Sequence, residues 1–160
     1  MKGLGDPPAI EIRHEDLASP LATRLIAALD AELTALYPEV GATHFRLEPA
    51  EVAEGRGVFL VVHVDGHALA CGAIRLLDAD TAELKRMYVA QQARGLGLGH
   101  RLLAALETEA RQLGATRLVL ETGVRQQVAQ ALYTRAGFVP IQAYGEYEHS
   151  PLSRCFEKRF

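Results

Sequence analysis

Apolar and polar positions alternate over Ala9 to His14 (AIEIRH), a period of two that predicts a strand. Beyond it the period lengthens: Leu21, Leu25, Leu29, Leu33 and Leu36 recur near every fourth residue, the apolar stripe of a helix. Ser19 followed by Pro20 supplies an N-cap and a first-turn proline, and the run stops before Pro38. Gly57 to Val64 (GVFLVVHV) and His67 to Leu77 flank Asp65-Gly66, a turn pair suited to joining two hairpin strands. Thr81 to Val89 (TAELKRMYV) continues the sheet. A second helical stripe, Leu98, Leu102, Leu106, Ala110 and Leu113, is closed by Gly114. Arg117 to Thr122 (RLVLET) reads as a short strand, and Gln127 to Ala136 as a helix closed by Gly137, with Val128, Leu132 and Ala136 as its stripe. Phe138 to Ile141 and Leu152 to Phe160 complete the strands.

Residues 38 to 56 carry Gly41, Pro49 and Gly55 and predict a loop with one short helix around Pro49 to Ala53, long enough to lie over a binding site. Hairpins early and a β-α-β crossover late predict an α/β architecture, a mixed sheet with helices on both faces. At 160 residues, without internal repeats or a long linker, the chain is expected to form one domain over residues 1–160.

Composition narrows the class. Seventeen basic and 20 acidic residues leave a formal charge of −3, which offers no basic surface for nucleic acid. The N-terminus lacks the apolar core of a signal peptide and no stretch reaches bilayer length, so a cytoplasmic protein without membrane contact is expected. Cys71 and Cys155 are far apart with no metal-ligand spacing around them, which predicts two free thiols and no metal site.

Between the strand ending at Val89 and the second helix stands ARGLGLGHR, Ala93 to Arg101. A helix N-terminus presents unpaired amides and the positive end of the helix dipole, and glycines let a phosphate approach them. Arg94, Gly95, Gly97 and Gly99 therefore fit a pyrophosphate cradle, with Arg94 adding charge-assisted hydrogen bonds; a tight turn whose glycines only permit close packing is the alternative. A Walker loop would need Gly-Lys-Ser/Thr, and a dinucleotide fingerprint Gly-x-Gly-x-x-Gly; neither spacing is present.

Arg94-Gly95-Leu96-Gly97-Leu98-Gly99 resembles the acetyl-CoA loop of the GNAT N-acetyltransferases, Arg/Gln-x-x-Gly-x-Gly/Ala. The strand before it, the helix after it, the strand ending Glu121-Thr122 and the run Ala131 to Phe138 (ALYTRAGF) follow in that family's order, so the resemblance covers about residues 57 to 141. It implies a GNAT-like acyl-CoA N-acyltransferase fold with acetyl-CoA as co-substrate and no metal. In TAELKRMYV the alternation breaks between Leu84 and Met87, where a β-bulge would restore it. The family is known for such a bulge and for a strand splay that admits the pantetheine arm. By that resemblance Met87, Tyr88 and Val89 contact the cofactor through their backbone, and the amides from Gly95 through Leu96, Gly97, Leu98 and Gly99 to His100 take the pyrophosphate.

An alkylammonium must lose a proton before it attacks a carbonyl. Glu83, eleven residues before Arg94, matches the position of a family carboxylate that acts through water. By the same resemblance the Val89 N–H is the donor expected for the oxyanion. Tyr133, within ALYTRAGF, matches the family's general acid for the leaving thiolate. Where the family often has asparagine, Arg125, Gln126 and Gln127 stand, with Gln126 as the substitute. His63, His67 and His100 are weaker candidates for the base than Glu83.

The expected reaction is transfer of acetyl to a primary amine of a small molecule by direct attack in a ternary complex. Protein or peptide amino groups, or a non-catalytic acyl-CoA sensor, are the alternatives. Tyr144, Tyr147, Glu146 and Glu148 are candidates to line a site for a cationic amine, and Lys85, Arg86 and Arg154 to hold a carboxylate. A homodimer is compatible with all of this.

Overall fold

The computed structural model describes residues 3–39, 41 and 46–160. Its strands are β1 (Ile10–His14), β2 (Gly57–Val64), β3 (His67–Leu76), β4 (Thr81–Val89), β5 (Arg117–Gly123), β6 (Val139–Ile141) and β7 (Ser153–Arg159). The helices are α1 (Pro20–Leu36), α2 (Leu98–Gln112) and α3 (Gln127–Arg135), with single 3-10 turns at Pro49–Val52, Gln91–Ala93 and Gly145–Tyr147. The strands form one sheet in the order β1-β2-β3-β4-β5-β7-β6. Neighbours run antiparallel except β4 and β5, which are parallel and joined through α2.

Each predicted element is present, because its local signals agree with its packing. The Ser19 hydroxyl accepts from the Ala22 amide at 3.0 Å and starts α1. Asp65 and Gly66 both take positive φ in the β2–β3 turn. Gly114 (φ 93°) and Gly137 (φ 98°) end α2 and α3. The short helix expected around Pro49 to Ala53 is the 3-10 turn, and residues 40 and 42–45 of that loop lie outside the described residues.

Alternation assigns the two faces of the sheet. Val58, Leu60, Val62, Ile74, Leu84, Leu118 and Leu120 point to the face covered by α2, whose Leu98, Leu102, Leu103 and Leu106 are fully buried there. Each such side chain contributes about 1.5–3 kcal/mol by leaving water. Phe59, Val61, Cys71 and Ala73 point to the opposite face, under Ala22 and Leu25 of α1. The cysteines are free, as expected, and both are buried; burial pushes the Cys71 thiol up to about 12.

The stripe expected on α3 is corrected. Val128 is 84% exposed, and the buried residue of the helix is Tyr133, flanked by partly buried Ala129, Leu132 and Ala136. Short helices give the period little length to define a face, and here the aromatic contacts of Tyr133 with Phe138 and Phe156 fix the rotation.

No helix among the described residues is long and apolar enough to cross a membrane.

Candidate active site

The central pairing of the sheet is incomplete. β4 and β5 are paired from Thr81↔Arg117 to Leu84↔Leu120 and no further. On its other edge β4 continues along β3, but Lys85 faces Ala73 and Tyr88 faces Cys71, so Arg86 and Met87 share the single Gly72. This is a β-bulge at the place where the sequence alternation breaks, and it turns β4 away from β5. Arg86 adopts φ 58°, a region costly for a side-chain-bearing residue, and its guanidinium is ion-paired with Asp30 of α1. Past the bulge the Ala90 amide donates to the Leu69 carbonyl at 2.8 Å. Successive amides along a strand point to opposite edges, so the Val89 N–H faces the gap that β5 leaves.

That gap opens into a cavity of about 550 Å³. Met87, Tyr88 and Val89 form one wall, Arg94, Gly95, Gly97, Leu98, Gly99 and His100 a second, and Gln126 and Tyr133 a third. Leu96 is half-exposed and lies outside its lining. Gly97 is the left-handed N-cap of α2 (φ 75°), with no side-chain cap, so the first-turn amides are not covered. A Cβ on Gly99 would stand 3.1 Å from Leu132 Cδ2, so the glycine also lets α3 pack close here. Arg94 bridges the site: its Nη2 bonds both carboxylate oxygens of Glu32 at 2.8 and 2.9 Å, and its Nε the Val89 carbonyl at 3.0 Å.

A smaller cavity of about 100 Å³ adjoins the first and shares Leu29, Leu33, Met87, Gln126 and Tyr133 with it. Its polar wall is Lys85, Glu121, Thr122 and Tyr147. Burial raises the Glu121 carboxyl to about 6, with Glu83 and Glu146 also raising it and a Ser153 hydrogen bond and Lys85 opposing. Glu83 is placed differently. It is 1% exposed, walls neither cavity, and is bound by Arg75 Nε at 2.9 Å and the Tyr144 hydroxyl at 2.5 Å. Arg75 in turn ion-pairs with Glu51 of the 3-10 turn after the long loop.

A splayed parallel strand pair with an uncovered glycine-rich helix start narrows the fold families considerably, and comparison with known proteins decides among them. The model of the acetyltransferase (GNAT) family matches residues 22–138. The chain is 38% identical over 152 residues to an IAA acetyltransferase of Azospirillum brasilense, an alignment covering 94% of this chain and 98% of that one. The protein is a GNAT acetyltransferase. Among solved structures, a Klebsiella pneumoniae protein assigned as an acyl-CoA N-acyltransferase superposes with a TM-score of 0.80 at 38% identity, covering 94% of this chain and 97% of that one. A GNAT acetyltransferase from Elizabethkingia anophelis, solved with acetyl-CoA bound, shares the fold at a TM-score of 0.68 and 18% identity, covering 94% and 98%.

Within this GNAT scaffold Tyr133 is buried, its hydroxyl 3.8 Å from Met87 Sδ, and it borders both cavities. Burial and the nearby Glu121 charge push its phenol upward, so it stays protonated across the neutral range. Gln126 is folded back at the start of α3: its Oε1 accepts from the Gly123 amide at 2.8 Å. Gly123 must be glycine, since a Cβ there would lie 1.7 Å from the Tyr37 hydroxyl. That hydroxyl accepts from the Arg125 amide at 3.0 Å and so ties the end of α1 to the β5–α3 turn. Glu121 and Tyr37 were not among the site residues expected from the sequence. For Glu121 the sequence shows a carboxylate near the end of an otherwise apolar strand but nothing that places it on a cavity; for Tyr37, beside Pro38 in a loop, it shows nothing.

Proposed function

We propose that this acetyltransferase uses acetyl-CoA to acetylate the amine of a small molecule, with the larger cavity holding the co-substrate and the smaller one the acceptor. The observation that carries the reading is the meeting of the two cavities at Tyr133 and Met87, beside the outward-facing Val89 amide. The glycine amides from Gly95 to His100 supply uncovered donors for a pyrophosphate, and Leu33, Leu36 and Val128 an apolar flank for the pantetheine arm. The acceptor cavity has room for roughly seven to ten waters, which suits a small amine better than a polypeptide segment. The Azospirillum relative named as an IAA acetyltransferase is consistent with a small-molecule acceptor.

Glu121 takes the proton from the acceptor ammonium, because it is the carboxylate on the wall of the acceptor cavity and its affinity for a proton is raised toward neutrality. Glu83, locked between Arg75 and Tyr144, stands behind it as a fixed negative charge that raises Glu121 further. The freed amine attacks the thioester carbon and forms the C–N bond, while the Val89 N–H donates to the developing oxyanion. The C–S bond then breaks, Tyr133 gives its proton to the leaving sulfur, and the proton remaining on the new amide nitrogen restores the phenol. One proton leaves through Glu121, one ends on the CoA thiol, and the charges balance.

The test is release of CoA thiol from acetyl-CoA with a panel of small amines, run with the wild type and with Tyr133→Phe. Amine-dependent release that falls at least a hundredfold in kcat in the variant supports the reading. Release that does not depend on any amine, or an unaffected variant, contradicts it.

A further inference from the structure

We infer that the acceptor carries a carboxylate as well as its amine, and that Lys85 Nζ holds it. This rests on the assignment of the smaller cavity as the acceptor site. Lys85 is the last β4 residue before the bulge, its side chain 5% exposed, and it forms part of that cavity's wall. Its Nζ is buried and has no hydrogen-bond partner among the described residues. An ammonium brought out of water without a partner is costly, and proteins keep such a group where an anion completes it.

The neighbouring charges leave Lys85 as the available cation of the cavity among the described residues. Arg75 is committed to Glu83 and Glu51. Arg86, also on the wall, is ion-paired with Asp30. Arg154 is exposed and bonds the Ser153 carbonyl. The carboxylate nearest to Lys85 Nζ that the structure pairs with it is Glu146 Oε1 at 3.6 Å, beyond hydrogen-bond reach. Glu146 belongs to the 3-10 turn Gly145–Tyr147 and its side chain is 46% exposed, so it can swing out when a bound carboxylate takes its place. Opposite in sign, Glu121 faces the same cavity. A lysine amine and a carboxyl in one small cavity match the two ends of an amino acid, with Leu29, Leu33 and Leu152 around an apolar side chain.

The experiment compares kcat/KM for L-leucine, L-methionine and L-phenylalanine with that for the same amines lacking the carboxylate, using thiol release from acetyl-CoA. The wild type should favour the amino acids at least tenfold. In Lys85→Met that preference should collapse to about unity, carried by a rise in KM for the amino acids. Glu146→Gln, a change at an exposed side chain that keeps the fold, should lower KM for the amino acids two- to fivefold, and an unchanged or higher KM would count against the inference even where the Lys85 variant does not fold. Carboxylate-free amines favoured by the wild type, or an amino-acid preference that survives in Lys85→Met, would overturn the inference while leaving the acetyltransferase reading intact. Absence of any stabilisation by acetyl-CoA would instead overturn the reading beneath it.

Discussion

In the proposed mechanism Tyr133 and Glu121 divide the proton transfers because burial raises both acids but leaves them in different ranges. The phenol is held protonated, and the carboxyl is brought to about 6, where it exchanges protons near neutrality. The pH profile of kcat/KM should therefore rise through about 6 as Glu121 loses its proton, and Glu121→Gln should remove that limb and lower the rate about a hundredfold or more. Stability follows the opposite sign. A carboxyl whose folded pKa lies above its unfolded one disfavours the fold once ionised, so this group's contribution is most favourable below its unfolded value and is lost as pH rises through about 6. Glu121→Gln should consequently raise Tm at pH 8 relative to the wild type while it lowers activity, a pairing that melting curves and steady-state kinetics on one preparation would check. Of these proposed roles, that of Tyr133 was legible because ALYTRAGF carries a family pattern. Glu121 was not, since its access to the cavity depends on β4 and β5 parting one residue earlier, a tertiary fact.

At the scale of elements, two backbone irregularities make the site, and they differ in legibility. Three alternate glycines announce the start of α2, and the lost alternation between Leu84 and Met87 announces the bulge. That Arg86 occupies the left-handed region could not be read, because it belongs to the bulge opposite Gly72 and to a pairing with Asp30 of α1, both long-range features. The misplaced α3 stripe has the same origin: contacts with Phe138 and Phe156 outweigh nine residues of helical pattern. Gly97→Ala tests the first irregularity. Forcing an L side chain to φ 75° should cost about 1–2 kcal/mol, roughly 2 to 8 °C in Tm, and the added methyl beside the first-turn amides should raise KM for acetyl-CoA. An unchanged KM would mean the loop is shaped for packing alone.

Across the whole molecule, α1 links the parts. It caps one sheet face through Ala22 and Leu25, pins the bulge through Asp30, holds Arg94 through Glu32, and reaches the β5–α3 turn through Tyr37. The mixed sheet and its layers were legible from periodicity, whereas this web was not, because its links through Asp30, Glu32 and Tyr37 each join residues more than fifty positions apart. Arg94 and Glu32 are both substantially exposed, so their pair adds little to stability. Glu32→Ala should leave Tm within about 2 °C and, by freeing the guanidinium for phosphate, tighten acetyl-CoA two- to fivefold by titration. The assignment of the larger cavity underlies every step above, and thermal unfolding with acetyl-CoA, CoA and ATP added separately addresses it most directly. At a hundredfold excess over Kd, a ligand that binds only the folded chain stabilises it by about 2.7 kcal/mol, roughly 5 to 11 °C for a protein of this size. The account predicts that shift with acetyl-CoA and CoA and none with ATP; a cooperative transition unmoved by either CoA form would contradict it.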